Sequence, residues 1–296
     1  MREPILFSIV IPTFNRAAII DRTLQSVIHQ LERRFEIIVV DDGSNDNTED
    51  VVRKQNDERI KYFCTENQER AAARNFGVQK ASGPFITFLD SDDILKEEHL
   101  STAADFIKKN PQINMFHIGY DVVKPDGSVI YPWKKLPDPA NEKLIEGNFL
   151  SCLGIFIKRE ILLATPFNED RDLSGSEDYE LWLRLAARVP IRTIGLSTAC
   201  LVNHESRSVF LMNPLKFQRR MDLLKHYLKL DHKVTGVYGN KLKILFAYVD
   251  LYAALHFAIS NSKDQGRRTL ISAWLAYPGI IWNLRFWVVI KKLIFF

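Results

Sequence analysis

Four short apolar runs, separated by segments with helical patterns, constrain the fold of this chain more than any other feature. The runs are LFSIVIP, FEIIVV, IKYF and PFITFL, at residues 6–12, 35–40, 60–63 and 84–89. Strands that alternate with helices typically form a parallel sheet with helices on its faces. Strands covered on both faces are apolar throughout, as these runs are. We therefore predict an α/β fold built on a mostly parallel sheet flanked by helices.

The pattern changes after residue 110. A hairpin is expected to turn at Pro125–Gly127, because Pro-Asp-Gly favours a tight turn. CLGIFIK at 152–158 reads as a further strand, and SEDYELWLRLAARV reads as a helix with one apolar face. From Asn213 onward the sequence is helical, basic and aromatic. We predict two domains, 1–210 with the sheet and 211–296 as a helical extension.

The net charge of +4 conceals an asymmetry along the chain. Residues 207–296 contain 15 Lys and Arg but 4 Asp and Glu, whereas residues 1–206 contain 25 and 32. In the basic part the charges alternate with Leu, Ile, Phe and Trp, which favours an anionic membrane surface over nucleic acid. Segment 269–290 is long enough to span a bilayer but contains Pro278 and Arg285. We expect surface association through 213–296, with a spanning helix and a soluble helical cap as alternatives.

Cysteine usage and the N-terminal sequence predict a cytoplasmic protein. The three cysteines, Cys64, Cys152 and Cys200, match neither a disulfide framework nor a zinc-binding spacing. The first apolar run is followed by Pro-Thr-Phe-Asn-Arg and not by a small-residue cleavage site, so it reads as a strand and not as a signal peptide. With the basic extension, this predicts a peripheral location at the inner face of the cell membrane.

Three of the four apolar runs end in polar residues. In open parallel sheets, ligands bind outside the carboxyl ends of the strands. Each polar group alone has a structural interpretation, as a turn, a helix cap or a favourable helix-terminal charge. Their convergence on one sheet edge favours a shared ligand crevice. The polar groups are Pro12-Thr13-Phe14-Asn15-Arg16, Asp41-Asp42-Gly43-Ser44 and Asp90-Ser91-Asp92-Asp93.

The absence of a phosphate loop and the charge of the crevice narrow the class of ligand that it can bind. The sequence contains neither G-x-G-x-x-G nor G-x-x-x-x-G-K-[ST], so a glycine-rich phosphate loop is excluded. Carboxylates repel phosphate unless a cation intervenes, and Mg²⁺ or Mn²⁺ takes oxygen ligands from both. A metal-bound phosphorylated ligand, most simply a nucleotide, is therefore expected.

Four segments together resemble the family 2 glycosyltransferases with a GT-A fold. They are SIVIPTFNR, IIVVDDGSNDNT, RAAARNFGVQKASGPFITFLDSDD and SEDYELWLRL, in that order and spacing. The resemblance covers about 200 residues from the first strand onward and stops before the extension. It implies a Rossmann-like sheet and inverting transfer of a sugar from a nucleoside diphosphate sugar, UDP favoured, to an acceptor hydroxyl. By analogy, the acceptor is a lipid-linked glycan in cell-surface polysaccharide assembly.

The resemblance also implies roles for individual residues. Asp92 is the first choice as metal ligand in the D-x-D motif Asp90-Ser91-Asp92, with Asp90 and Asp93 assisting through the ribose or the metal. His204 falls where many family members place a histidine near the metal or the pyrophosphate, although a structural histidine is an equal alternative. Donor binding is implied for Pro12, Thr13, Asn15, Arg16, Asp42, Arg70, Arg74, Asp90, Ser91 and Asp92.

Asp178 matches the catalytic base of the family, and Glu177 is its rival. A base must deprotonate the acceptor hydroxyl opposite the leaving group, and so must lie apart from the carboxylates that hold the leaving diphosphate. The alternative for Asp178 is an acid that interacts with the dipole at the start of a helix.

The sequence lacks a clear Q-x-x-R-W motif and multiple spanning helices, which favours a single-addition enzyme over a processive synthase.

Two other functions compete with sugar transfer. A nucleotidyltransferase shares the sheet, the metal and the nucleotide, but an early glycine-rich phosphate loop is expected in it and is absent here. A non-catalytic nucleotide-sugar binding protein requires the same binding residues without turnover. A phosphatase with an Asp-x-Asp nucleophile is disfavoured, because that motif is expected after its first strand and not after the fourth.

Overall fold

A computed structural model of the chain describes residues 3–204 and 213–295. The predicted domain boundary at 210/211 lies outside these residues. The strands are β1 (Phe7–Thr13), β2 (Phe35–Asp41), β3 (Ile60–Cys64), β4 (Phe85–Phe88), β5 (Ile94–Leu95), β6 (Met115–Val123), β7 (Val129–Tyr131), β8 (Ile155–Lys158) and β9 (Arg192–Val202). The α-helices are α1 (Ile20–Ile28), α2 (Thr48–Lys54), α3 (Arg70–Lys80), α4 (His99–Lys109), α5 (Arg159–Ala164), α6 (Glu177–Ala186), α7 (Pro214–Leu230), α8 (His232–Tyr238), α9 (Lys241–Ile259), α10 (Lys263–Ala276) and α11 (Leu284–Phe295).

The chain forms two compact units that are not contiguous in sequence. The first unit comprises Met1–Ala140, Leu150–Arg171 and Val189–Arg207, and contains the sheet. The second comprises Asn141–Phe149, Asp172–Arg188 and Ser208–Phe296. The helix α6, expected from sequence to belong with the sheet, is thus grouped with the C-terminal helices. This grouping reflects packing, because α6 contacts α7 and α8 of the same unit.

The first unit is built around β1, which pairs in parallel with β2 on one side and β4 on the other. Its pairing with β4 ends at Val10, whereas its pairing with β2 continues to Thr13. Backbone alternation places the Pro12 nitrogen on the β4 side, beyond the last paired residue. A proline, which has no N–H to donate, is therefore tolerated in a central strand.

The sheet order is β3-β2-β1-β4-β8-β6-β9-β5, with β7 paired to β6. The pairs among β3, β2, β1 and β4 are parallel, as the apolar runs predicted. From β8 onward most pairs are antiparallel, so the sheet is mixed rather than mostly parallel. The predicted hairpin is present between β6 and β7, where Gly127 has φ +86°. The α/β fold class is confirmed.

Helix α3 packs against β1 at very close range. A Cβ atom added to Gly77 would lie 2.4 Å from Val10 Cγ1 and 3.1 Å from Val10 Cγ2, distances that no relaxed side chain can occupy. Glycine is therefore required at Gly77 by close approach and not by backbone conformation. The same helix carries Arg74, so this contact fixes the position of a candidate site residue.

The second unit is helical. Helices α9, α10 and α11 share an apolar core that includes Leu251, Ala254, Ala273, Val289 and Leu293. Helix α7 begins with a side-chain cap, in which Asn213 Oδ1 accepts a hydrogen bond from the Leu215 backbone N–H at 2.9 Å. The helical extension expected from sequence is thus present.

The segment 269–290, considered from sequence as a membrane span, is not one helix. It is divided between α10 and α11 by a 3₁₀ segment, Pro278–Trp282, because proline cannot continue an α-helix. Within the described residues, only α9 is long and apolar enough to cross a bilayer, and 44% of its apolar window is buried within the protein. A buried core helix has the same composition, so this is weak evidence for a span.

We predict that Gly77→Ala destabilises the protein despite its better helix propensity. The propensity gain of alanine is about 1 kcal/mol, whereas forcing a methyl group into a filled contact costs about 1–3 kcal/mol. The matched control is Gly236→Ala in α8, where an added Cβ meets no atom within 4 Å and propensity alone acts. Chemical denaturation followed by circular dichroism measures both, and equal shifts of the two midpoints would contradict the packing argument.

Candidate active site

The ends of β1 and β2 are joined at the candidate nucleoside pocket. The Asp42 backbone N–H donates to the Thr13 carbonyl at 2.8 Å, which continues the β1–β2 ladder past the last strand residue. Thr13 is 3% exposed, and among the described residues its hydroxyl has no hydrogen-bond partner. A buried hydroxyl without a partner is costly, so Thr13 is a natural contact for a polar ligand at this edge.

Asp42 is held by the loop that precedes α3. Its two carboxylate oxygens accept hydrogen bonds from the backbone N–H groups of Gln68 and Glu69, both at 2.8 Å. Burial raises the pKa of the Asp42 carboxyl, and these two hydrogen bonds oppose that change. The predicted contact of Asp42 with a nucleobase would therefore use the remaining lone pairs of an already oriented carboxylate.

Asn15 connects the loops that follow β1 and β2. Its backbone N–H donates to Ser44 Oγ at 2.7 Å, and its side-chain oxygen accepts from the Asn45 N–H at 2.9 Å. Asn15 lies in the loop before α1, and the N-cap of that helix is Ile19. Helix α1 begins at Ile20, and Asn15 instead adopts a left-handed backbone conformation with φ +52°. Short amide side chains tolerate that conformation.

A buried ion pair links α3 to the loop after β4. Arg74 Nη2 donates to Asp90 Oδ1 at 2.8 Å, and the Arg74 side chain is 2% exposed. The guanidinium also lies over the Phe167 ring, 5.4 Å from its centroid. Burying this cation is favourable only because it is paired. Arg70, the other candidate on α3, is the first residue of the helix and is half-buried.

The loop after β4 brings three carboxylates together. Ligand oxygens of Asp90, Asp92 and Asp93 all lie within 4.8 Å of one another. Asp92 Oδ2 lies 3.0 Å from His204 Nε2 and 3.8 Å from Arg16 Nη2. The sequence alone could not decide whether His204 belongs to the site, and the structure places it beside Asp92.

The three carboxylates differ in burial and in their hydrogen bonds to the rest of the protein. Asp93 is 2% exposed, and its Oδ1 accepts the Val202 backbone N–H at 2.8 Å, which ties the loop to β9. Asp90 and Asp92 are less buried, with 30% and 12% of their side chains exposed. Carboxylate oxygens on a short loop are donors that suit a hard divalent cation. Asp90 and Asp92 therefore fit a metal ligand set better than Asp93 does.

Asp178 and Glu177 lie at the start of α6 in the second unit and have different environments. Glu177 is 3% exposed, and its Oε2 accepts the Gly175 backbone N–H at 2.5 Å. Asp178 is half-buried, and Asn148 Nδ2 donates to its Oδ2 at 3.1 Å. Asp178 therefore presents a carboxylate oriented by a neutral donor, whereas Glu177 is engaged in closing the turn before the helix.

A cavity of about 220 Å³ adjoins Asp178 within the second unit. Sequence reasoning missed three polar residues in its wall, Asn148, Tyr252 and Arg285. They come from distant segments without a recognisable local motif, so only the packing of the helices brings them together. The full lining is Gly147, Asn148, Gly175, Ser176, Asp178, Tyr179, Met221, Leu224, Tyr248, Val249, Tyr252 and Arg285.

Comparison with known proteins identifies the class. Residues 8–162, just over half of the chain, match the family model "Glycosyl transferase family 2". Escherichia coli WfgD, a UDP-Glc:alpha-D-GlcNAc-diphosphoundecaprenol beta-1,3-glucosyltransferase, is 31% identical over 76% of this chain and 87% of its own length. The protein is thus a glycosyltransferase, and it belongs to glycosyl transferase family 2. Some relatives are longer, and the chain spans 32% and 30% of two uncharacterised Rickettsia glycosyltransferases.

Solved structures share the fold at lower identity. Staphylococcus aureus TarS 1-349 in complex with UDP-GlcNAc matches with a TM-score of 0.72 at 20% identity, over 97% of this chain and 88% of TarS. The mannosyltransferase PcManGT from Pyrobaculum calidifontis, in complex with GDP-Man and Mn²⁺, matches with a TM-score of 0.61 at 17% identity, over 98% and 86%. The predicted family and fold are confirmed, whereas the roles of single residues stay predictions.

We predict that Asp93→Ala destabilises the protein more than Asp92→Ala. Asp93→Ala leaves the buried Val202 N–H without its acceptor, a loss of about 1–3 kcal/mol. Asp92→Ala removes a partly exposed charge and relieves repulsion in the cluster, so we expect a change within about 1 kcal/mol. Urea denaturation in the presence of chelator measures both values.

Asp93→Asn serves as the conservative control for this comparison. It keeps an oxygen acceptor for Val202 and is expected to recover most of the stability lost in Asp93→Ala. If Asp92→Ala proves the more destabilising change, the structural role assigned to Asp93 is incorrect.

Proposed function

We propose that this protein transfers a sugar from a UDP-sugar, with inversion, to a hydroxyl group of a lipid-linked acceptor in cell-surface polysaccharide assembly. The observation that carries the proposal is the acidic loop after β4, with Asp90 and Asp92 beside Arg74, Arg16 and His204, in a member of glycosyl transferase family 2. WfgD, named for a UDP-Glc donor and a diphosphoundecaprenol-linked acceptor, supports these substrate classes. We also propose a single addition per acceptor, because the sequence lacks a clear Q-x-x-R-W motif, and a cytoplasmic location, which cysteine usage favours.

Asp90 and Asp92 would hold a divalent cation, Mn²⁺ or Mg²⁺, with His204 close to the same carboxylate. Such an ion supplies Lewis-acid stabilisation of the leaving diphosphate. Arg74 neutralises part of the charge of the acidic cluster. Its Nη2 lies 2.8 Å from Asp90 Oδ1, and this contact orients Asp90. Thr13, Asn15 and the other polar groups at the ends of β1 and β2 are assigned to the nucleoside, with Arg70 as a further contact to the donor.

Asp178 is proposed as the base that takes the proton from the acceptor hydroxyl. Its Oδ2 receives a hydrogen bond from Asn148 and its Oδ1 one from the Tyr179 backbone N–H at 2.6 Å. These donors orient the carboxylate for proton transfer, as a general base requires. Glu177 is less suited, because it is buried and bound to Gly175.

The C-terminal extension is proposed to bind the inner face of the membrane. Leu284, Trp287, Val288, Lys291 and Ile294 are exposed and recur at helical spacing; we name them the outer face of α11. The opposite side of α11 packs into the core of the second unit. An exposed apolar stripe with a lysine suits an interfacial helix on anionic lipid. Binding there would bring the enzyme to the surface that holds a lipid-linked acceptor.

The test of the function is incubation of the full chain with labelled UDP-sugars and Mn²⁺, with and without a short-chain sugar-diphosphate lipid. Release of UDP, product formation with the acceptor and loss of both on chelation support the proposal. Tight donor binding without turnover across all donors and acceptors would instead identify a non-catalytic binding protein.

Asp178→Asn is expected to reduce transfer by about 10²–10⁴-fold and to leave the donor Kd nearly unchanged. The amide has the shape of the carboxylate but cannot accept the acceptor proton at neutral pH. Single-turnover transfer and equilibrium donor binding measure the two effects. Glu177→Gln, which keeps the acceptor for Gly175, is the control and should remain active. Full activity of Asp178→Asn combined with an inactive Glu177→Gln would move the base to Glu177.

Replacing Leu284 and Ile294 together by serine is expected to abolish binding to vesicles that contain anionic lipid. These side chains are 83% and 63% exposed on the outer face of α11. Leu215 and Leu230 on α7 have similar exposures, 76% and 60%, so their double serine variant is the matched control. Flotation at low and high salt measures binding. Equal recovery of both variants with the vesicles would exclude the outer face of α11 as the docking surface.

A further inference from the structure

The cavity beside Asp178 has a polar wall that the proposed chemistry does not fully use. Asn148, Tyr252 and Arg285 face the same space as Asp178. A base alone requires one carboxylate and a donor to orient it. The additional groups indicate that this cavity recognises a ligand with a definite charge.

Arg285 is the distinctive group in this wall. Within residues 3–204 and 213–295, no carboxylate lies within ion-pairing distance of the Arg285 guanidinium, although its backbone N–H is capped by Asn283 Oδ1 at 2.9 Å. Other partly buried arginines are paired with a carboxylate, as Arg184 is with Glu180 at 2.7 Å. A half-buried arginine without an anion is costly unless a ligand supplies one.

The electrostatic surroundings of the cavity favour an anionic ligand. Burial raises the pKa of the Tyr252 hydroxyl, with the Arg220 and Arg285 charges opposing and the Asp178 charge reinforcing that change. Burial lowers the pKa of His256, and the same two arginines lower it further, so the imidazole stays neutral. Tyr252 is thus a hydroxyl donor, and Arg285 is the cationic side chain in the cavity wall.

Arg285 also lies at the start of α11, between the cavity and the outer face of that helix. Leu284 precedes it and is exposed, and Trp287 follows two positions later, also exposed. A Cβ added to Gly147 would lie 3.9 Å from Arg285 Nη1, an ordinary contact distance, so Gly147 does not crowd the guanidinium. A ligand held by Arg285 could therefore carry an apolar chain toward the outer face of α11.

We propose that Arg285, assisted by Tyr252 and Asn148, binds the phosphate or diphosphate group that links the acceptor sugar to its lipid. Planar guanidinium donors match phosphate oxygens in a bidentate manner, which suits this role. The assignment rests on the proposed function, in which Asp178 activates the hydroxyl of that same acceptor. It adds that the acceptor is recognised by its negative charge as well as by its sugar.

The test compares Arg285→Gln with the unaltered protein on a synthetic N-acetylglucosaminyl diphosphate with an undecyl chain and on the undecyl glycoside without phosphate. Loss of one charge-assisted contact is expected to raise the KM for the diphosphate acceptor about 10–100-fold. The KM for the uncharged glycoside and the donor Kd should not change. Arg285→Lys keeps the charge without the bidentate geometry and should recover part of the loss.

The matched control is Arg268→Gln, which removes the same charge from an exposed position on α10. The assay contains no vesicles, so membrane binding does not enter. An unchanged KM for the diphosphate acceptor in a folded Arg285→Gln, verified by its thermal midpoint, would overturn the proposal.

Equilibrium binding separates this inference from the proposed function. If no donor is turned over, titration with the diphosphate acceptor still applies: binding by the unaltered protein that Arg285→Gln loses supports the inference alone. Absence of binding in both proteins overturns it. Inorganic pyrophosphate, titrated in parallel, distinguishes the source of the anion. Pyrophosphate that binds as tightly as the full acceptor would indicate a general anion site and would also overturn the lipid assignment.

Discussion

The candidate site depends first on the parallel pairing of β1 with β2 and β4. Because the three strands run in one direction, their carboxyl ends lie at one edge, and the polar groups that follow them converge. The pairing with β4 stops at Val10, which leaves Pro12 and Thr13 beyond its end. This early end leaves the β1 terminus without a β4 partner and makes a proline acceptable there.

Charge balance within the first unit follows from this arrangement. Three carboxylates on one short loop repel one another, and Arg74 offsets part of that repulsion from a buried position on α3. Helix α3 can bring Arg74 to Asp90 because Gly77 lets it approach β1 closely. Asp93 is stabilised differently, by the backbone N–H of Val202. The acidic loop is thus partly neutralised by the fold, and the remaining charge is available to a cation and a phosphorylated donor.

Two adjacent acids of the second unit, Glu177 and Asp178, lie in different environments. Glu177 closes the turn before α6, whereas Asp178 faces a cavity whose wall also contains Arg285. The Asn148 amide and the Tyr179 backbone N–H orient the Asp178 carboxylate, which suits its proposed role as base. Arg285 favours an anionic acceptor, so one cavity would serve both the proposed base and the proposed recognition of its substrate.

The sequence by itself determined the α/β class, the strand ends, the acidic loop and the family. These are local patterns: apolar runs of strand length, turn residues and motifs of contiguous residues, and each is set by the chain within a few positions. The antiparallel half of the sheet was not predictable in the same way, because β8 pairs with β4 and β9 pairs with β5, both far away in sequence.

Only the tertiary structure distinguished the environments of adjacent acids and decided what surrounds Asp178. Asp93 and Asp92 are neighbours of the same type, and burial against β9 alone distinguishes them. Asn148, Tyr252 and Arg285 meet in one wall although they come from three separate segments. The grouping of α6 with the C-terminal helices likewise arises from the packing of apolar faces. Long-range contacts of this kind depend on how whole elements pack, and no local pattern in the sequence encodes them.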